Sequence, residues 1–129
     1  MAGPSVTVFH NPACSTSRRV LDAARASGLH VEVVEYMKVG WTRERLEGLL
    51  SAMSATPRDI LRAKDSLAKE LGLTDPATSH EAILTAMTRR PGLVERPIVI
   101  GPGGTALCRP AERAAAVMAR AEAQPGARQ

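Results

Sequence analysis

The 129-residue sequence carries 17 Lys and Arg against 13 Asp and Glu, a formal net charge of +4, with 44% hydrophobic and 23% charged residues. That length suits one domain of the usual ~100–200 residues, and the balance excludes disordered, collagen-like and coiled-coil chains. No apolar run reaches the ~18 residues that cross a bilayer, and residues 1–10 lack the charged and apolar regions of a leader peptide, so a cytoplasmic protein without membrane contact is expected; a monomer is expected as well.

Ser5 to His10 alternates Val6 and Val8 against Thr7 and Phe9, which predicts a short strand stopped by Asn11-Pro12. From Ser17, the spacing of Val20, Leu21 and Ala24 predicts a helix ending at Gly28, a residue suited to a left-handed cap. His30 to Tyr36 then reads as a second, β-branched strand. Together these make a βαβ unit of about thirty residues.

The middle reads as helical. Thr42 can cap a helix whose Leu46, Leu49, Leu50 and Met53 form a core-facing stripe. Thr56-Pro57-Arg58-Asp59 restarts the chain, with Pro57 at the first helical position and an acidic residue at the third, predicting a helix through Ile60 and Leu61. Thr78 to Glu81 has capping-box spacing ahead of Ile83, Ala86 and Met87. Three short helices are therefore expected here.

Arg96-Pro97 leads into Ile98-Val99-Ile100, a turn over Gly101 to Gly104, and Thr105 to Cys108, which predicts a β-hairpin. After Pro110, the spacing of Ala114, Val117, Met118 and Ala121 predicts a last helix, and residues 124–129 read as a frayed tail. The order βαβ, helical insertion, ββα describes an α/β fold with a four-stranded mixed sheet, one domain over residues 1–129 with an insertion at about 42–92.

The basic surplus suits a phosphate-like anion. Phe9, Tyr36 and Trp41 are the only aromatics, too few for base-stacking platforms, so nucleic acid is not an expected partner. Cys14 and Cys108 are the only cysteines; they supply neither a disulfide framework nor a tetrathiolate, and no metal site is expected.

Cys14 stands between the first strand and first helix, where free N–H groups and the helix dipole favour a thiolate. Ser15, Thr16 and Ser17 offer hydroxyls, and His10 and Arg18 add positive or proton-donating character. A free cysteine is often just a small buried hydrophobe, but a loop rich in Pro, Ser and Thr is a poor place for one. Two familiar motifs fail on counting. An oxyanion loop of Cys, five residues and Arg would need Arg where Val20 stands, and a Cys-x-x-Cys pair would need cysteine where Ser17 stands.

Residues 10–18, His-Asn-Pro-Ala-Cys-Ser-Thr-Ser-Arg, resemble the signature loop of the glutaredoxin-dependent arsenate reductase (ArsC) family. Ile60-Leu61-Arg62, Glu95-Arg96-Pro97-Ile98 and Leu107-Cys108-Arg109-Pro110 resemble its other landmarks, in order and at similar spacing. Val39-Gly40-Trp41 departs from its commoner proline-rich turn. The resemblance implies a thioredoxin-like fold, Cys14 as catalytic thiol, Arg62, Arg96 and Arg109 as oxyanion ligands, and Pro97 as a cis-proline. It further implies reduction of arsenate with glutathione as co-substrate and glutaredoxin as partner, without a bound cofactor. Guanidinium groups suit this role, since they stay charged and present planar donor forks to tetrahedral oxyanions.

Ordinary readings stand beside these. Arg62 on a helix can simply face solvent. His10 can lower the Cys14 pKa, orient the loop or pack at a strand end, and Asn11 can bind substrate or cap the turn. Cys108 reads as buried and inert, and Arg89 and Arg90 complement a helix dipole. The alternatives to the enzyme are a thiol-dependent reductase of another substrate and an Spx-like regulator that binds RNA polymerase. The regulator typically carries the Cys-x-x-Cys that Ser17 interrupts.

Overall fold

A computed structural model describes residues 4–119. In chain order the elements are β1 (Ser5–His10), α1 (Ser15–Ala26), β2 (His30–Glu35), α2 (Tyr36–Val39), α3 (Arg43–Met53), α4 (Ser66–Glu70), α5 (His80–Arg89), β3 (Ile98–Gly101), β4 (Gly104–Leu107) and α6 (Ala114–Met118). Short 3-10 turns occupy Pro57–Ile60, Pro91–Leu93 and Ala111–Arg113. The chain forms two compact units, one up to Glu35 and from Arg96 onward, the other Tyr36–Glu95.

The first unit holds a four-stranded sheet in the order β2-β1-β3-β4. β2 runs parallel to β1, while β3 is antiparallel to β1 and to β4, so the sheet is mixed as expected. The alternation read in β1 aims Val6 and Val8 at a core completed by Val20, Leu21 and Ala24 of α1, Val99 of β3, and Ala114 and Val117 of α6. Val6, Val8, Val20 and Val99 are fully buried, each contributing about 1.5–3 kcal/mol of hydrophobic stabilisation.

Register fixes which residues meet at one end of this sheet. Phe9 pairs with Ile98, and Ile98 with Leu107. Arg96, two residues before Ile98, and Arg109, two residues after Leu107, therefore emerge beside the end of β1 from which the Cys14 loop departs. The Arg96-Pro97 and Arg109-Pro110 peptide bonds are both cis.

Several boundaries differ from the sequence reading. Helix α1 begins at Ser15, two residues before the expected start, with Cys14 at its N-cap. It closes at Ser27 with Gly28 at φ +82°, the left-handed role assigned to that glycine. Tyr36 is not in β2. The β1 partner ends at His10, paired with Glu35, so the next residue has no ladder and turns into α2. Gly101 and Gly104 pair, leaving a two-residue connection at Pro102-Gly103 where a four-residue turn was expected. Gly103 tolerates no larger residue. A Cβ there would fall 2.1 Å from the Ala116 carbonyl oxygen, because its N–H donates to the Val117 carbonyl at the end of α6. That helix is one short turn, preceded by a 3-10 turn; Ala121 and the tail lie outside the described residues.

In the second unit, Thr42 caps α3 as expected, its side chain accepting from the Arg45 N–H, and Thr56 and Asp59 make the reciprocal capping box. The element they start is a 3-10 turn that ends at Ile60, short of the helix expected through Leu61. Leu61 bridges Val94, the Arg62 N–H donates to the Leu93 carbonyl, and the Glu95 N–H donates to the Ile60 carbonyl. Those cross-chain bonds satisfy the groups that a longer helix would have used. The cap of α5 is Ser79, whose hydroxyl accepts from the Ala82 N–H; Thr78, the expected cap, instead donates to the Gly72 carbonyl. Helix α4 was not anticipated. Its Asp65 cap, accepting from the Leu67 N–H, holds it.

Candidate active site

Cys14 is the N-cap of α1, half-buried, with extended backbone that lets the chain turn from loop into helix. Its N–H donates to the Asn11 carbonyl and its carbonyl accepts from the Arg18 N–H, both at 3.0 Å. No acidic residue occupies the first turn of α1, so the positive end of the helix dipole is available to the sulfur.

Two guanidinium groups border the thiol. Arg109 Nη1 lies 3.7 Å from Cys14 Sγ and also donates to the Arg96 carbonyl at 2.9 Å, which ties the two arginine segments together. The buried Arg96 Nε has no hydrogen-bond partner. A buried donor without an acceptor is costly unless a ligand completes it, and an oxyanion is the acceptor this donor suits.

Burial alone would push the Cys14 thiol up. The Ser17 backbone N–H, hydrogen bonds from Arg96 and Arg109 and the charge of Arg96 outweigh it, and the net shift is downward. The Cys14 side chain makes no capping hydrogen bond. Cys108 is the opposite case. It is fully buried in the apolar core of the first unit, and desolvation raises its pKa to about 11.

Three buried polar residues shape the loop. His10, Asn11 and Ser17 are 6%, 8% and 0% exposed. His10 Nδ1 lies 2.6 Å from Ser17 Oγ, and the Asn11 N–H donates to the same oxygen at 3.0 Å. Asn11 Oδ1 accepts from the Ala13 N–H, which is the turn-capping geometry. Arg18 donates to the Pro12 carbonyl at 2.7 Å. Burial holds the His10 imidazole below its ordinary pKa despite the opposing pull of Glu35.

Cys14, Arg96, Arg109, His10, Asn11, Ser17 and Arg18 thus gather in the first unit. Arg62 belongs to the second, where it is half-buried and paired with Glu95 at 3.1 Å. The His10–Ser17 contact was missed in the sequence. Its only trace there is a histidine closing a strand and a serine on the inward stripe of α1, three residues before Val20. The second unit also carries a groove of about 500 Å³ lined by Leu71, Leu73, Thr85, Ala86 and Arg89, with neither cysteine nor histidine in its lining. Among the described residues no group of His, Cys, Asp or Glu is gathered to hold a metal ion, and no helix is long and apolar enough to cross a membrane.

Comparison with known proteins agrees with this geometry. Residues 9–117 match the ArsC family. An arsenate reductase of Rhizobium meliloti is 46% identical over 108 residues, which cover 84% of this chain and 77% of that protein. One from Neisseria meningitidis is 39% identical over 116 residues, covering 89% of this chain and 99% of its own length. Among solved structures, an arsenate reductase from Vibrio cholerae superposes with a TM-score of 0.84 at 34% identity, covering 90% of this chain and 99% of its own. The fold is the thioredoxin-like one of those enzymes. With a cysteine at the helix start, two arginines against its sulfur and a family match across most of its length, this chain belongs to the ArsC family.

Proposed function

We propose that the protein is an arsenate reductase that uses Cys14 as its one catalytic thiol and draws electrons from glutathione and glutaredoxin in the cytoplasm. The observation that carries this reading is the Cys14 sulfur at the start of α1 with Arg109 at 3.7 Å and Arg96 lowering its pKa, in a chain whose relatives are named arsenate reductases.

The Cys14 thiolate attacks arsenic(V), and one arsenate oxygen leaves as water after protonation, giving a Cys14–S–As(V) adduct. Arg96 and Arg109 neutralise the oxyanion throughout, a role in which preorganised donors act strongly. Glutathione then displaces a second oxygen as water and forms an As–S bond. A glutaredoxin thiolate attacks the glutathione sulfur. The As–S electron pair stays on arsenic, which falls from V to III, and a glutaredoxin–glutathione disulfide forms. Water finally displaces Cys14 and releases arsenite. The scheme draws on no resident metal or organic cofactor.

Position 17 supports an external reductant. With serine there and Cys108 buried, Cys14 has no accessible thiol partner in the chain to resolve an oxidised intermediate. The family resemblance also assigns Arg62 to the oxyanion. The experiment is arsenate-dependent NADPH oxidation with glutathione, glutaredoxin and glutathione reductase. Sustained turnover is expected, with little from thioredoxin and thioredoxin reductase. Full turnover on thioredoxin alone, with a Cys14–Cys108 disulfide by mass spectrometry, would overturn the reductant assignment.

A further inference from the structure

Ser17 is fully buried in the first turn of α1, where a hydroxyl must find partners or cost about 1–3 kcal/mol. Its oxygen accepts the Asn11 N–H at 3.0 Å and lies 2.6 Å from His10 Nδ1. One lone pair is thereby used, and the hydroxyl proton needs an acceptor. His10 Nδ1 is the partner within reach, and the tautomer of the imidazole sets which of the two groups donates. One side chain therefore fastens three segments: the end of β1 at His10, the loop at Asn11 and the start of α1. Its own backbone N–H belongs to the first turn of α1, beside Cys14.

We propose that Ser17 is the positioning residue for Cys14: its hydroxyl, tied to His10 and to the Asn11 backbone, locks the loop against the helix, and Cys14, whose N–H donates to the Asn11 carbonyl, is thereby held at the start of α1. His10 acts through Ser17 in this arrangement and does not touch the thiol. Removing the hydroxyl would leave His10 Nδ1 and the Asn11 N–H buried without partners, and the loop would move to rehydrate them. Cys14 would then shift from the start of α1, although every group that touches the thiol would still be present. The inference rests on Cys14 working as a thiolate.

The test is the pH dependence of iodoacetamide alkylation of Cys14 in the full chain, wild type against Ser17→Ala and Ser17→Thr, with Cys108 replaced by Ala throughout. In Ser17→Ala the midpoint should rise by about half to one pH unit, so the rate at pH 6.5 falls about 3- to 10-fold and recovers to the wild-type rate above pH 9. Ser17→Thr, which keeps the hydroxyl, should return the midpoint most of the way. A loss of rate equal at all pH values, or an unmoved midpoint in Ser17→Ala, would overturn the proposal. A second measurement needs no folded variant at position 17. In wild-type protein the His10 Nδ1 and Ser17 amide nitrogen resonances should both shift with the Cys14 midpoint and stop doing so in Cys14→Ser; a His10 resonance indifferent to that midpoint would also sink the idea. A wild-type midpoint at or above the ordinary thiol value would instead count against the catalytic reading itself.

Discussion

Cys14 and Cys108 are the same side chain in the same unit, and the structure gives them opposite chemistry. Cys108 sits among Val99, Ala114 and Val117, and its sulfur lies 3.8 Å from the Ala106 carbonyl, a weak contact at best. Cys14 is half-buried, and its surroundings are a helix start and two guanidinium groups. Burial raises the pKa of both thiols, and only the donors facing Cys14 reverse it. Reactivity therefore follows which groups replace the lost water, since desolvation without charge-matched donors simply protonates the sulfur.

The largest expected break in this contrast is Cys14→Ser, which should lower arsenate-dependent NADPH oxidation by about three orders of magnitude, while Cys108→Ala retains most of it. Comparable losses from both substitutions would end the one-thiol scheme. Arg96→Lys and Arg109→Lys come next. Each keeps the charge but loses the donor fork, a loss of about 1.5–3 kcal/mol or roughly 10- to 100-fold in kcat/KM. The Cys14 alkylation midpoint should rise in both. Arg62→Lys measured alongside tests the role that the resemblance gives this residue, and wild-type kinetics would remove it from the substrate site.

The third prediction uses the core cysteine as a control. Its folded pKa of about 11 lies above the ~8.5 of an unfolded thiol, so between these values the unfolded chain releases the proton first. Stability should therefore fall as pH rises through that window, by at most about 2–3 kcal/mol. Denaturant unfolding at pH 8 and pH 10.5 should show this slope in wild type and a flatter one in Cys108→Ala. Cys14 carries the opposite sign. Its lowered folded pKa contributes stability at pH above the unfolded value, which is lost as pH falls through the folded one. The smallest effect is at the exposed Arg19–Glu112 pair, 3.4 Å apart. Glu112→Ala should cost under about 0.5 kcal/mol and leave the Cys14 midpoint where it was. A shifted midpoint would mean that remote surface charge, rather than the groups against the sulfur, sets its reactivity.

What the sequence determined was local. Val6 and Val8 alternating to a stop at Asn11-Pro12, the Thr42 cap and the Thr56/Asp59 box each depend on neighbours a few residues away, so each is written where it acts. Where competing partners came from afar, the local reading failed: Tyr36 left β2 because β1 had ended, and Leu61 left its helix for Val94. The resemblance named Arg96 and Arg109, but nothing in their own surroundings brings them to a thiol that Arg109 follows by 95 residues. That meeting is decided by the order β2-β1-β3-β4, which sets Ile98 beside Phe9 and Leu107 beside Ile98. The Ser17 hydroxyl is another such case, since periodicity marks it as inward-facing while only the packed loop supplies His10 and the Asn11 N–H. Strand pairing and the satisfaction of buried polar groups are long-range conditions, met when the whole sheet has formed, and the candidate site is assembled by them.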